Sequence, residues 1–179
     1  MARICDDVDA KPSKVLRGCA SQFYVAAELC RRGCVAVVTL GNCPNTDVLC
    51  SDVAASSFAH IQVKTFRLGT KKCAVGLKAE DVRGPNFFWV LVGLSSADPS
   101  ACPEYYVIPA SDMYQHVHAS HELWKTRHPG RKNDFRAVQI PPDRCLDGWD
   151  LSQYKGDWER LIKCVGAPSA AVQPITNNK

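Results

Sequence analysis

Apolar and polar positions change period several times along the chain, and each period predicts a different element. From Ser13 to Arg32 apolar residues recur at Leu16, Ala20, Phe23 or Tyr24, Ala27 and Cys30, which is helical spacing, with Ser13 placed to cap the start and Gly33 to stop the end. Residues 34–40 are a short β-branched run, read as a buried strand, and the loop Gly41-Asn42-Cys43-Pro44-Asn45 ends it. Residues 46–51 make a second strand and 52–57 a polar hairpin connection. A third strand covers 60–67, where Ile61, Val63 and Thr65 alternate with Gln62 and Lys64, so those two polar residues share a face.

Residues 75–82 carry no readable period. Phe87 to Leu94 is apolar on both faces, which predicts a central strand, and Tyr105 to Ile108 predicts a fifth strand stopped by Pro109. Ser111 is expected to cap a helix whose inner face is Met113, Val117, Ser120 and Trp124. A basic loop spans 130–134, and Asp150 with Gln153 opens a last helix carrying Leu151, Tyr154, Trp158 and Leu161. Because the 87–94 strand has no polar face, the first helix and the later ones are expected to cover opposite faces of one α/β sheet.

At 179 residues the chain fits one domain, read as an N-terminal arm (1–12), a domain (13–165) and a disordered tail (166–179). With 46% hydrophobic and 22% charged residues it is neither disordered, collagenous nor a coiled coil. The net charge of +4 suits a polyanionic partner without requiring one. Asp6, Asp7 and Asp9 stand where a secretory signal needs apolar residues, and no run approaches ~18 apolar positions, so a soluble cytoplasmic protein with no membrane partner is expected. The ten cysteines include no C-x2-C pair; Cys30-x3-Cys34 and Cys43-x6-Cys50 come nearest to ligand spacing, and free thiols are expected.

One constellation carries chemistry. Asp47 opens the second strand, Gln62 and Lys64 lie two apart on the third, and a hairpin can bring the three together. An aspartate oxygen and a glutamine carbonyl can each ligate a hard cation, and a lysine can orient water and neutralise a phosphate. Here the chain resembles the PD-(D/E)xK nuclease superfamily: Asn45-Thr46-Asp47 stands where its Pro-Asp stands, and Gln62-Val63-Lys64 where its (Asp/Glu/Gln)-x-Lys stands. The stretch from Ser21 to Gly33 is similar to the first helix of Mrr-like and Holliday-junction-resolvase-like members.

The resemblance implies a restriction-endonuclease-like αβββαβ core, with 75–82 as the segment available for its second helix. It also implies magnesium- or manganese-dependent hydrolysis of DNA as an endonuclease, with Asp47, Gln62 and Lys64 catalytic. Asp47, Gln62 and Gln22 would hold the metal. The family usually places a helix-borne glutamate eleven residues before the glycine, and here that position is Gln22. Glu28 lies six positions further, about 240° around the helix, and is expected to pair with Arg31 or Arg32 instead. Many nucleases of this class act as dimers, so the resemblance also raises a homodimer.

Two other readings stand beside this one. The glutamines at both carboxylate positions suit a weakened or inactive nuclease-fold protein that binds nucleic acid or a protein partner. The cysteines with the 116–128 region would suit a zinc-stabilised module, although His116, His118, His121 and His128 are expected to be solvent-exposed. Phe87, Phe88 and Trp89 are read as core rather than base-stacking aromatics.

Overall fold

Ser13 accepts a hydrogen bond from the Leu16 N–H (3.2 Å), and the helix it caps, α1 (Lys14–Cys30), ends before Gly33. Gly33 sits at φ +85°, a left-handed backbone that glycine adopts without strain. In this computed structural model, which describes residues 12–40, 43–141 and 149–167, seven strands follow. They are β1 (Val35–Val38), β2 (Val48–Ser51), β3 (Phe58–Arg67), β4 (Lys72–Ala74), β5 (Phe87–Leu94), β6 (Glu104–Pro109) and β7 (Ala137–Gln139). The helices α2 (Ala110–Arg127) and α3 (Glu159–Cys164) complete the set.

Five strands form one mixed sheet in the order β1-β2-β3-β5-β6, with β3 and β5 parallel and the other pairs antiparallel. A parallel pair needs a crossover, and here it holds β4 and a single 3-10 turn, Leu77–Glu80. That turn occupies the place of the second helix in the αβββαβ plan. Strand β4 pairs with β7 in a separate two-stranded sheet that the sequence pattern did not reveal.

The sheet buries both faces. Val25 and Leu29 of α1 and Leu161 and Ile162 of α3 pack with Ile61, Val63, Val90 and Val92. Met113 and Val117 of α2, Cys73 of β4 and Val138 of β7 pack with Phe66, Trp89 and Leu91 on the other side. An α/β fold with a five-stranded mixed sheet between helical layers is therefore the fold class expected from the sequence. The uniform apolarity of β5 follows from its position between those layers.

Several expectations need correction. The inner face of α1 is Ser21, Val25 and Leu29, while Leu16 and Phe23 are exposed; apolar residues lie on two sides of this helix, and the buried Ser21 hid the true stripe. Strand β1 is an edge strand with Val35 and Val37 exposed, not a buried one. Pro109, not Ser111, precedes α2, and Ser111 donates to Asp112 within it. The last helix breaks at Gly156 (φ +66°) into a 3-10 turn, Leu151–Tyr154, and α3, and α3 lies on the same face as α1. His116 is buried and stacked on Trp149 at 3.8 Å, not exposed.

Cys5, Cys145, the arm up to residue 11 and the tail from 168 lie outside the described residues. The eight described cysteines are free thiols. No described helix is long and apolar enough to cross a membrane.

Candidate active site at the start of β2

Asp47 immediately precedes β2, where the strand leaves a tight turn built on Asn45 at φ +67°. Backbone hydrogen bonds fix it on both sides: its N–H donates to Ile61 O (2.8 Å), and its carbonyl accepts from Thr39 N (3.0 Å). The side chain is held as well. Oδ1 accepts from Gln22 Nε2 (3.1 Å), and Oδ2 accepts from the Val63 N–H (2.7 Å) and from Gln62 Nε2.

Gln22 arrives from α1, whose core residues pack on the Ile61–Val63 face, whereas Gln62 belongs to the alternate residues of β3. Asp47 can be reached from both because it stands at the turn end of its strand, where the hydrogen-bonded ladder begins. Three residues distant in sequence thus meet at one carboxylate, Gln22 among them. They do so from two sides of the sheet rather than from one face.

Lys64 is placed differently. It follows Gln62 by two along β3, but its ammonium lies over the indole of Trp89, 5.8 Å from the ring centroid, and it makes no ion pair among the described residues. The parallel register sets Trp89 directly beside Gln62, which explains the contact: the lysine turns back along its own strand toward the Gln62 row. Burial pushes the nearby Cys73 thiol up to about 12, an effect the Lys64 charge opposes. Phe87, Phe88 and Trp89 are buried, as core aromatics should be. Glu28 is bound to Arg31 (3.1 Å) and Arg32, away from Asp47.

Two further residues belong to this neighbourhood. His60 Nδ1 lies 3.2 Å from Thr46 Oγ1, and its ring stacks on Phe87 at 6.5 Å. It shares the period of Gln62 and Lys64, and that alternation was the signal in the sequence. Asn45 Oδ1 is buried without a hydrogen-bond partner, a state that buried oxygens rarely keep without a ligand or water to fill it.

The donor set can be tested for a divalent cation. Among the described residues no group of three or more His, Cys, Asp or Glu gathers as a ligand cluster. What is present is one carboxylate, two glutamine amides and an unpartnered amide oxygen two residues from the carboxylate. An amide that turns over exchanges its N–H for a carbonyl oxygen. Magnesium takes oxygen donors, keeps several waters and is commonly held by one or two carboxylates plus substrate phosphate. The residues fit a weakly held hard cation and do not fit zinc.

The class these features define is an α/β protein with a five-stranded mixed sheet between helical layers and one amide-ringed carboxylate beside it. No protein-family model and no curated protein sequence matches the chain. Among solved structures it is similar to I-Ssp6803I, a bacterial homing endonuclease, at 17% identity and a TM-score of 0.49, over 86% of this chain and 95% of that one. It is also similar to Hjc, a Holliday junction resolvase from Archaeoglobus fulgidus, at 15% identity and a TM-score of 0.41, over 68% of this chain and 83% of that one. At these values the likeness is one of outline, and the fold class rests on the chain's own strand order and register.

Proposed function

We propose that the chain is a metal-dependent endonuclease that hydrolyses phosphodiester bonds of DNA, with Asp47, Gln62 and Lys64 at the reacting centre. The observation that supports this best is the uncancelled charge of Asp47. Its oxygens are met by three neutral N–H donors and by no cation within ion-pairing distance among the described residues. Such donors position a carboxylate without neutralising it.

Asp47 would hold magnesium or manganese, with Gln62 and Gln22 adding neutral oxygens. When bound, the cation supplies Lewis-acid polarisation of a phosphoryl oxygen. Lys64 neutralises phosphate charge and orients the attacking water, for which its ammonium must swing off Trp89, giving up a contact worth about 1 kcal/mol. Gln22 and Gln62 keep the Asp47 carboxylate aimed before substrate arrives, so its orientation is set in advance.

A second reading is motivated by the same atoms: both Asp47 oxygens are already taken by N–H donors, and Lys64 rests on an aromatic ring. It describes a nuclease-fold protein that binds DNA without cutting it. Incubating a DNA duplex with the purified protein, with magnesium, manganese or a chelator, separates the two. The endonuclease reading expects cleavage in metal alone, reduced about 100-fold or more by Asp47→Asn and by Lys64→Ala with the fold retained. Binding without cleavage, or cleavage untouched by both substitutions, contradicts it.

A further inference from the structure

Away from Asp47, on the α2 side of the sheet, lies a cleft of about 380 Å³ between the end of α2 and the loop that follows it. Its lining includes Lys125, Arg131, Lys132 and Arg136, four permanent cations, against one carboxylate, Asp134. Lys125 and Arg136 are paired with Glu122 and Glu80, so the uncommitted charge at the cleft is that of Arg131 and Lys132 against Asp134. His121 and His128 add two imidazoles to the same lining.

The cleft is built rather than merely basic. Arg136 is 6% exposed, donates from Nη1 to Asn133 O (2.6 Å) and sits with Nε 2.9 Å from Glu80 Oε2 as an ion pair. Glu80 also holds His121 Nδ1 at 3.0 Å, so one acid from the 3-10 turn fixes two of the lining residues. His128 Nδ1 lies 3.0 Å from Trp124 O, and its ring stacks on Trp124 at 4.7 Å. The loop turns at Gly130 (φ +76°), and Asn133 Oδ1 accepts from Phe135 N (2.9 Å).

Its acids are already committed or outnumbered. Glu80 is taken by Arg136 and His121, and Glu122 by Lys125 at 2.6 Å. Arg131 and Lys132 are exposed, and neither has an ion pair among the described residues.

We propose that this cleft is a second contact for DNA, in which Arg131 and Lys132 bind backbone phosphates; this rests on the reading of the chain as acting on DNA. Uncommitted cations on a braced loop give sequence-independent, salt-sensitive attraction, the kind that sets register without reading bases. The residues of the cleft hold the DNA and take no part in bond breaking.

The test is fluorescence anisotropy of a labelled DNA duplex in chelator, across a salt series, with the wild type, Arg131→Gln/Lys132→Gln and the control Lys163→Gln on α3, which packs on the other face of the sheet. Losing two phosphate contacts should make the slope of log affinity against log salt shallower by about 2 and weaken binding at least tenfold at low salt. Lys163→Gln should bind as the wild type does. Equal affinity and slope for the double variant overturns the cleft, as does complete displacement of the duplex by inorganic phosphate at constant ionic strength, which marks a single-anion site. Asp47→Asn separates the two ideas, because it should lose cleavage and keep the binding curve. A wild type that binds no duplex at low salt refutes both.

Discussion

Two lone carboxylates each tie together parts of this molecule that are distant in sequence, and their partners differ in kind. Glu80 binds the guanidinium of Arg136 and the imidazole of His121. Asp47 binds the side-chain amides of Gln22 and Gln62 and one backbone N–H. An acid met by a guanidinium is balanced on the spot and serves as a brace. An acid met by neutral donors keeps its negative charge to offer outward, and a divalent cation is the natural counter-ion. The same side-chain chemistry thus gives a structural joint in one place and a candidate reactive centre in the other.

The largest expected consequence of that difference is in stability. Glu80→Gln strands the buried Arg136 charge, and denaturant unfolding should show a loss of about 3 kcal/mol, the range for breaking a buried pair from one side. A loss under about 0.5 kcal/mol, the size of an ordinary surface change, would erase the contrast.

Gln62→Glu sharpens the comparison from the other side, because it sets a second carboxylate against Asp47. The metal-free variant should lose about 1 to 2 kcal/mol through like-charge repulsion and a lost hydrogen bond. Magnesium should then restore it more strongly than it stabilises the wild type. If calorimetry finds no tighter magnesium binding to this variant, Asp47 and residue 62 do not share a cation.

The smallest effect concerns a third acid, Asp112, which accepts from the Tyr154 hydroxyl (2.9 Å). Burial and then Asp112 push the Tyr154 phenol up to about 12 from its ordinary 10.0. The raised folded value means that the stabilisation is complete below about pH 10 and is lost as pH rises towards 12. Tyr154→Phe should lose about 1 kcal/mol at neutral pH and show a flatter alkaline decline, followed by unfolding across that window. An unchanged decline would move its cause elsewhere, with the similarly buried Tyr106 next in line.

Much of this architecture is legible in the residues because several elements announce themselves locally. The Ser13 cap, the left-handed Gly33, the alternation of β3 and the double-sided apolarity of β5 each need no distant information. The three-residue strands β4 and β7 are too short to show a period, and their pairing is set by the tertiary fold. Helical spacing from Leu151 to Leu161 was real as a list of buried residues, yet Gly156 breaks the helix that would have carried it.

The neighbourhood of Asp47 divides in the same way. Hairpin spacing was enough to bring Gln62 to Asp47, whereas Gln22 was placed only by resemblance to a nuclease helix. The rest of Lys64's setting depends on the parallel register that lays Trp89 beside Gln62, which no local pattern encodes. Glu80 fell in the segment with no period, so its bond to Arg136 was invisible.

The central claim is that Asp47 is an acid poised for a cation. It is tested most directly by titrating magnesium into the purified wild type and Asp47→Asn while following thermal unfolding. Magnesium at ten times its Kd should stabilise the wild type by about 1.4 kcal/mol and leave Asp47→Asn unmoved. A wild type indifferent to magnesium and manganese, or a variant that responds equally, would contradict the account.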